Sequence, residues 1–170
     1  MGNKKFVLND LRISYNGPID IKEFMAEVEK WLNGHGYEKE PKKYSEHLTK
    51  EGKQVEWVIE AHKGFSKLYR GTIRLKALFN NLKGSVLPTK NKKLRITSAD
   101  VLVYIDGIIE EEITESYYHT KPMYQFITTI IDKYIYKFWS DKYDGNVIGD
   151  GHSLLKQLRA FFSLQKYKWQ

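Results

Sequence analysis

The stretch LYRGTIRLKALF, residues 68–79, changes polarity at nearly every step. Tyr69, Gly71, Ile73, Leu75, Ala77 and Phe79 fall on one side, and Arg70, Thr72, Arg74 and Lys76 on the other. Side chains of an extended strand switch faces at each residue, so this period of two predicts a strand with one buried face and one wet, basic face. Sheets built through hairpins keep one face on a core and leave the other solvated. The neighbouring sequence supplies the hairpins. Tyr44–Thr49 and Gln54–His62 flank the turn Lys50-Glu51-Gly52-Lys53, and in the second arm Val55, Trp57, Ile59 and Ala61 alternate with less apolar residues. About a turn centred on residues 51–52, His47 pairs near Glu56 and His62 near Pro41, so the two histidines do not meet. After a Gly/Pro/Asn/Lys loop, Leu94–Asp106 reads as another long strand, with Asp106-Gly107 as a turn or bulge before Ile108–Thr114.

Helical signals lie on both sides of this run. A first strand at residues 5–15 closes on the turn chemistry of Asn16-Gly17-Pro18. Ile21, Phe24, Met25, Val28, Trp31 and Leu32 then mark one face of a helix, with Asp20 as N-cap and Asn33-Gly34 as the stop. Near the C-terminus Thr120 can cap a helix that has Pro122 in its first turn. Met123, Phe126, Ile127, Ile130, Ile131, Tyr134 and Phe138 form its apolar stripe. Residues 141–151 read as a loop, and a last helix turns Leu154, Leu155, Leu158, Phe161 and Phe162 inward. The expected order is β-α-β-β-β-β-(β)-α-α. This is an α+β domain spanning residues 1–170: a curved antiparallel sheet of four to six strands, packed by one early helix and two C-terminal helices. By element order alone it resembles helix-grip and TATA-binding-protein-like domains, where a long C-terminal helix lies across a curved sheet.

Charge is distributed far more unevenly than hydrophobicity. Residues 51–100 carry a net charge of +7, against +1 before them and −1 after, so the +7 of the 170-residue chain sits in the middle. Between Ala61 and Ala99 stand ten cations and no carboxylate: Lys63, Lys67, Arg70, Arg74, Lys76, Lys83, Lys90, Lys92, Lys93 and Arg95. Such a density of fixed positive charge attracts polyanions. These ten residues are the candidate nucleic-acid-binding set, with Phe65, Tyr69 and Phe79 beside them as rings that could stack on bases if exposed. Tyr69 and Phe79 share the apolar face, which favours the core for both. The competing reading is a solvated face neutralised within the fold by Glu110-Glu111-Glu112 and Glu115.

Other chemistry finds little support. With no cysteine in the chain there is no disulfide, thiolate nucleophile or thiolate metal site, which fits a cytoplasmic location. The start Met1–Phe6 lacks the apolar stretch of a leader and the Ser or Thr of a myristoylation signal. No run reaches the ~20 apolar residues of a membrane span. His35, His47, His62, His119 and His152 match no metal-binding spacing, and Asp141–His152 holds oxygen ligands without the order of an EF-hand. Gly145, Gly149 and Gly151 form neither GxGxxG nor a P-loop. Glu110 and Glu112 would share a strand face with no converging partner. Tyr134, Tyr136, Phe138, Trp139 and Tyr143 read as packing. The expectation is therefore a binding protein that is not an enzyme and has no cofactor or metal. RNA or a ribonucleoprotein surface is its leading partner, and an acidic protein surface is the other class that the charge admits. The alternatives are a small-molecule or lipid carrier with an apolar pocket between sheet and C-terminal helix, and a protein–protein interaction module.

Overall fold

In the computed structural model the elements follow the order β1 (Asn3–Pro18), α1 (Ile21–Gly34), β2 (Glu38–Thr49), β3 (Gly52–Gly64), β4 (Tyr69–Thr89), β5 (Lys92–Glu111) and α2 (Pro122–Lys168). The structure describes residues 3–89, 92–111 and 122–168, with side chains at 4–84, 97–111 and 141–168. The five strands form one antiparallel sheet in the order β1-β5-β4-β3-β2, so the first strand pairs with the last and β2 is the far edge. This is the α+β architecture that the alternation at 68–79 implies. The histidine pairing moves slightly: His47 lies opposite Gln54 and His62 opposite Glu38, because the turn is Lys50-Glu51 and a bulge follows Pro41. β2 is exposed along nearly its whole length, and that bulge with Pro41, Lys39, Lys42 and Lys43 makes it a poor template for further strands.

One sheet face is apolar. Val55, Trp57, Ile59 and Ala61 of β3 lie beside Ile73, Leu75, Ala77 and Phe79 of β4, and beside Val101, Val103 and Ile105 of β5. On it α1 lays Phe24, Val28, Trp31 and Leu32, its first turn capped by the Asp20 carboxylate, which accepts from the backbone of Lys22 and Glu23. The last turns of α2 add Leu154, Leu155, Leu158, Phe161 and Phe162. Phe24 is the hub of these layers. Its ring meets Phe79 at 5.4 Å and Phe161 at 5.9 Å edge-on, and stacks on Phe162 at 5.7 Å. The described end of α2 packs these rings against the sheet.

Three expectations change. Residues 141–151 are helical, so the two C-terminal helices are one element of 47 residues. Their Asp, Asn and Gly content suits a turn, but tertiary packing decides: Val147 is fully buried, placing a methyl over Gly107 and another over Gly71. A Cβ at either glycine would come within 2.8 Å of it. Helix and sheet thus approach more closely than side chains would allow. Second, in the stretch read as a loop between residues 80 and 93, the described residues are strand, as far as Thr89 in β4 and from Lys92 in β5. Third, β1 runs through Asn16-Gly17-Pro18 and β5 through Asp106-Gly107, both remaining in register with their neighbours. The Thr120 cap, and the side chains of the stripe from Met123 to Phe138 with Tyr134, Tyr136 and Trp139, lie outside what the structure describes.

Candidate nucleic-acid interface

The structure divides the ten cations into three groups. Arg70, Arg74 and Lys76 stand on the outer face of β4, as the alternation requires, and each has a carboxylate. Arg74 donates Nε and Nη2 to Glu60 Oε1 at 2.9 and 2.8 Å. Arg70 binds Glu110, which also holds Lys4 at 2.8 Å. Lys76 lies 3.7 Å from Glu56, whose other oxygen takes Lys43 at 2.7 Å. The hydrogen bond from Lys43, with the nearby charge of Lys76, holds the Glu56 carboxyl below the usual carboxylate range. Burial pushes Glu110 up, yet the hydrogen bonds and charges of Lys4 and Arg70 outweigh it and hold Glu110 low. Neutralisation within the fold therefore does occur on this face. Its carboxylates are mainly Glu56 and Glu60 of β3, directly opposite Leu78 and Arg74 in the register, with Glu110 of β5. Glu112 and Glu115 lie outside the described residues.

The second group sits at the β3–β4 connection. Lys63 lies 5.3 Å from the Tyr37 ring centroid and 5.9 Å from that of Phe65, and Lys67 is exposed. The rings that the sequence sets beside the cations are committed to packing: Tyr69 and Phe79 are buried, and Phe65 stacks on Tyr143 at 5.1 Å.

The third group is carried by an extended ribbon. β3 stops pairing with β4 at Lys53↔Leu82, and β1 stops pairing with β5 at Pro18↔Ser98. Beyond that line the ladder continues between β4 and β5 alone, from Gly84↔Thr97 to Thr89↔Lys92, with one more backbone bond from Ile19 N to Thr97 O at its base. At ~3.4 Å per residue this two-stranded arm reaches about 20 Å past the sheet. It bears Lys83, which is exposed, then Lys92, Lys93 opposite Pro88, and Arg95 opposite Val86. Lys90 completes the set in sequence and lies outside the described residues.

The base of the ribbon is pinned. Asn81 has a positive φ of 54°, a left-handed conformation that Asn tolerates, and the register shifts between Asn80 and Lys83. The Asn81 amide donates to Asp100 Oδ2 at 2.9 Å, while the Asn16 amide donates to the other oxygen of the same carboxylate. Asp100, the acid that ends the carboxylate-free run in sequence, thus ties β1, β5 and β4 together where the arm begins.

Among the described residues, the clustered metal-ligating groups take part in ties within the fold. Glu40, Glu60 and His62 offer ligand atoms within 4.8 Å of one another, but the group is already satisfied. Lys42 binds both carboxylates, Arg74 binds Glu60, and the His62 ring joins Thr72 Oγ1 and Glu40 Oε2, each at 2.8 Å. In the helical 141–151 stretch, Asp144 pairs with Lys5 and Asp150 accepts from the Tyr37 hydroxyl at 2.7 Å. Burial and that bond push the Tyr37 hydroxyl well above the usual phenol range. No described helix is long and apolar enough to cross a membrane. Comparison with protein-family models, with curated proteins and with solved structures finds no match.

Proposed function

We propose that this chain is a non-enzymatic binding protein for a polyanion, RNA or a ribonucleoprotein surface, and that the β4–β5 ribbon is its leading contact. The observation that carries the reading is the register: six successive pairs extend past both neighbouring strands, within a stretch from residue 83 to 98 that has five cations and no carboxylate. A two-stranded ribbon is slim enough to enter a nucleic-acid groove or to follow a phosphate backbone. Its cations would supply affinity chiefly by releasing condensed counterions, with weak sequence preference. On the sheet face a phosphate must displace Glu56, Glu60 or Glu110 from Arg70, Arg74 or Lys76, so those three contribute less.

Fluorescence anisotropy with a mixed-sequence single-stranded RNA at low salt tests the assignment. Changing Lys83, Lys90, Lys92, Lys93 and Arg95 together to Gln should weaken binding by more than about tenfold. The triple change Arg70→Gln, Arg74→Gln and Lys76→Gln should weaken it by less than about threefold. Equal losses would place the contact on the sheet face. An RNA that fails to bind the unaltered chain would remove the function.

A further inference from the structure

Where the ribbon leaves the sheet, the β2–β3 turn and the irregular part of β4 border an open recess of about 460 Å³, within the ~300–1,000 Å³ of small-molecule sites. Thr49, Lys50, Glu51, Gln54, Asn80 and Asn81 line it. The register brings them to one face. Val55 and Phe79 pair and turn into the core, so their neighbours Gln54 and Asn80 turn to the face opposite α1 and α2. Asn80 and Asn81 stand together opposite Gln54, because pairing shifts between Lys53↔Leu82 and Val55↔Phe79. The turn is pressed onto this bulge. A Cβ on Gly52 would lie 3.3 Å from Asn81 Cα and from the Leu82 carbonyl oxygen, and the Thr49 hydroxyl donates to the Gly52 carbonyl at 2.6 Å.

The walls are rich in carboxamides and carry no net charge. Lys50 and Glu51 offset each other, so the recess does not gather phosphate as the ribbon does. Gln54 and Asn80 are half-buried, and among the described residues neither side chain has a hydrogen-bond partner. Asn81, in contrast, is held by Asp100. A carboxamide presents N–H donors beside a carbonyl acceptor. That pattern complements an amino group next to a ring nitrogen on the edge of a nucleobase. Position completes the case. Lys83, the first cation of the ribbon, follows Asn81 by two residues, about 7 Å along the strand. A single strand whose phosphates lie on the ribbon therefore brings a base to the recess, where its edge is open to hydrogen bonding.

We infer that this recess reads one nucleobase of the strand held by the ribbon, and that it selects a base with an exocyclic amino group beside a ring-nitrogen acceptor, as in cytosine and adenine, over uracil. A carboxamide at 54 or 80 accepts from the amino group and donates to the ring nitrogen, and the Glu51 carboxylate accepts the second amino hydrogen. Uracil offers a single N–H between two carbonyl oxygens. It has no amino hydrogen for Glu51, and a carbonyl oxygen meets that negative charge instead. The inference rests on the polyanion reading and deepens it: the ribbon supplies affinity with weak sequence preference, and the recess adds a preference at one position. Nothing local in the sequence announces it, because the fold alone joins Gln54 to Asn80.

Fluorescence anisotropy of the full chain with oligocytidylate and oligouridylate of equal length tests the recess, since the two bases differ only at the edge it reads. The unaltered chain should bind oligocytidylate about fivefold or more tighter, the lower end of what one bidentate pair is worth. In the double variant Gln54→Ala, Asn80→Ala the two affinities should converge to within about twofold. Should that variant fail to fold by circular dichroism, Gln54→Ala alone should still lower the ratio by about twofold or more. Equal affinities in the unaltered chain, or a ratio that persists in the variants, overturn the recess and leave the ribbon contact standing. Failure of both oligonucleotides to bind overturns the polyanion reading and the recess together.

Discussion

Replacing Gly107 by Ala drives a methyl group against the contact that seats α2 on the sheet. The new Cβ would lie 2.8 Å from Val147 Cγ1 and 3.2 Å from Leu8 Cβ, where carbon atoms normally settle at ~3.5–4.0 Å. Neither side yields easily. Gly107 is held between Ile73 of β4 and Leu8 of β1 in the register. Val147 is fully buried and, being β-branched on a helix, keeps essentially one rotamer. Its other methyl already faces Gly71. Overpacking of this kind costs about 1–3 kcal/mol. Against it stands the ~0.5–1 kcal/mol that Ala gains over Gly in a strand. The net expectation is a loss of about 0.5–2 kcal/mol in a urea melt. Val147→Ala alone removes two buried methyl groups, at ~0.8 kcal/mol each before any cavity cost. The double variant should then lose less than the two single losses together, by about 1–3 kcal/mol, because the new methyl at 107 fills space that Val147 vacates. Additivity within about 0.5 kcal/mol would refute the close approach of α2 to β4 and β5.

Two further expectations test the ties around the sheet. Glu110 titrates below the usual carboxylate range because Lys4 and Arg70 outweigh its burial, so the stability it contributes is present above about pH 4.3. It is lost as the pH falls through the depressed value; Glu110→Gln should flatten that part of the acid limb in urea melts, and an unchanged limb would mean the pairs contribute nothing. Asp100→Ala removes the acceptor for Asn16 and Asn81, so amide exchange should accelerate at the start of the ribbon while the centre of the sheet stays protected. Uniform acceleration would show that Asp100 supports the whole sheet.

Much of this architecture is legible in the chain because two periods are clean. The alternation of Ile73, Leu75, Ala77 and Phe79 against Arg74 and Lys76 gives both the strand and its faces, and the spacing of Phe24, Val28, Trp31 and Leu32 gives the early helix. Residues 141–151 mislead for a physical reason. Three glycines and three aspartates in eleven residues have turn chemistry locally, but the aspartates at 144 and 150 bind Lys5 and Tyr37, more than 100 residues away. Propensity yields there to contacts that no local window contains. The stretch from 80 to 93 misleads in the same direction: Gly84, Pro88 and Asn91 suggest a loop in sequence, yet an antiparallel ribbon without a third strand tolerates Pro where no N–H is needed. The charge map located the cations, but which of them have counterions depended on register. Glu60 faces Arg74 across β3 and β4, a pairing set by the turn at Phe65–Leu68.

The salt dependence of RNA affinity tests the central claim most directly. If the five ribbon cations each neutralise one phosphate of a single strand, log Kd should change with log salt at a slope of magnitude about 3.5. Affinity would fall as salt rises, and the ribbon-to-Gln variant should show a slope near zero. Affinity that stays flat across salt in the unaltered chain, or a slope that persists undiminished in the variant, would contradict the ribbon as the polyanion contact.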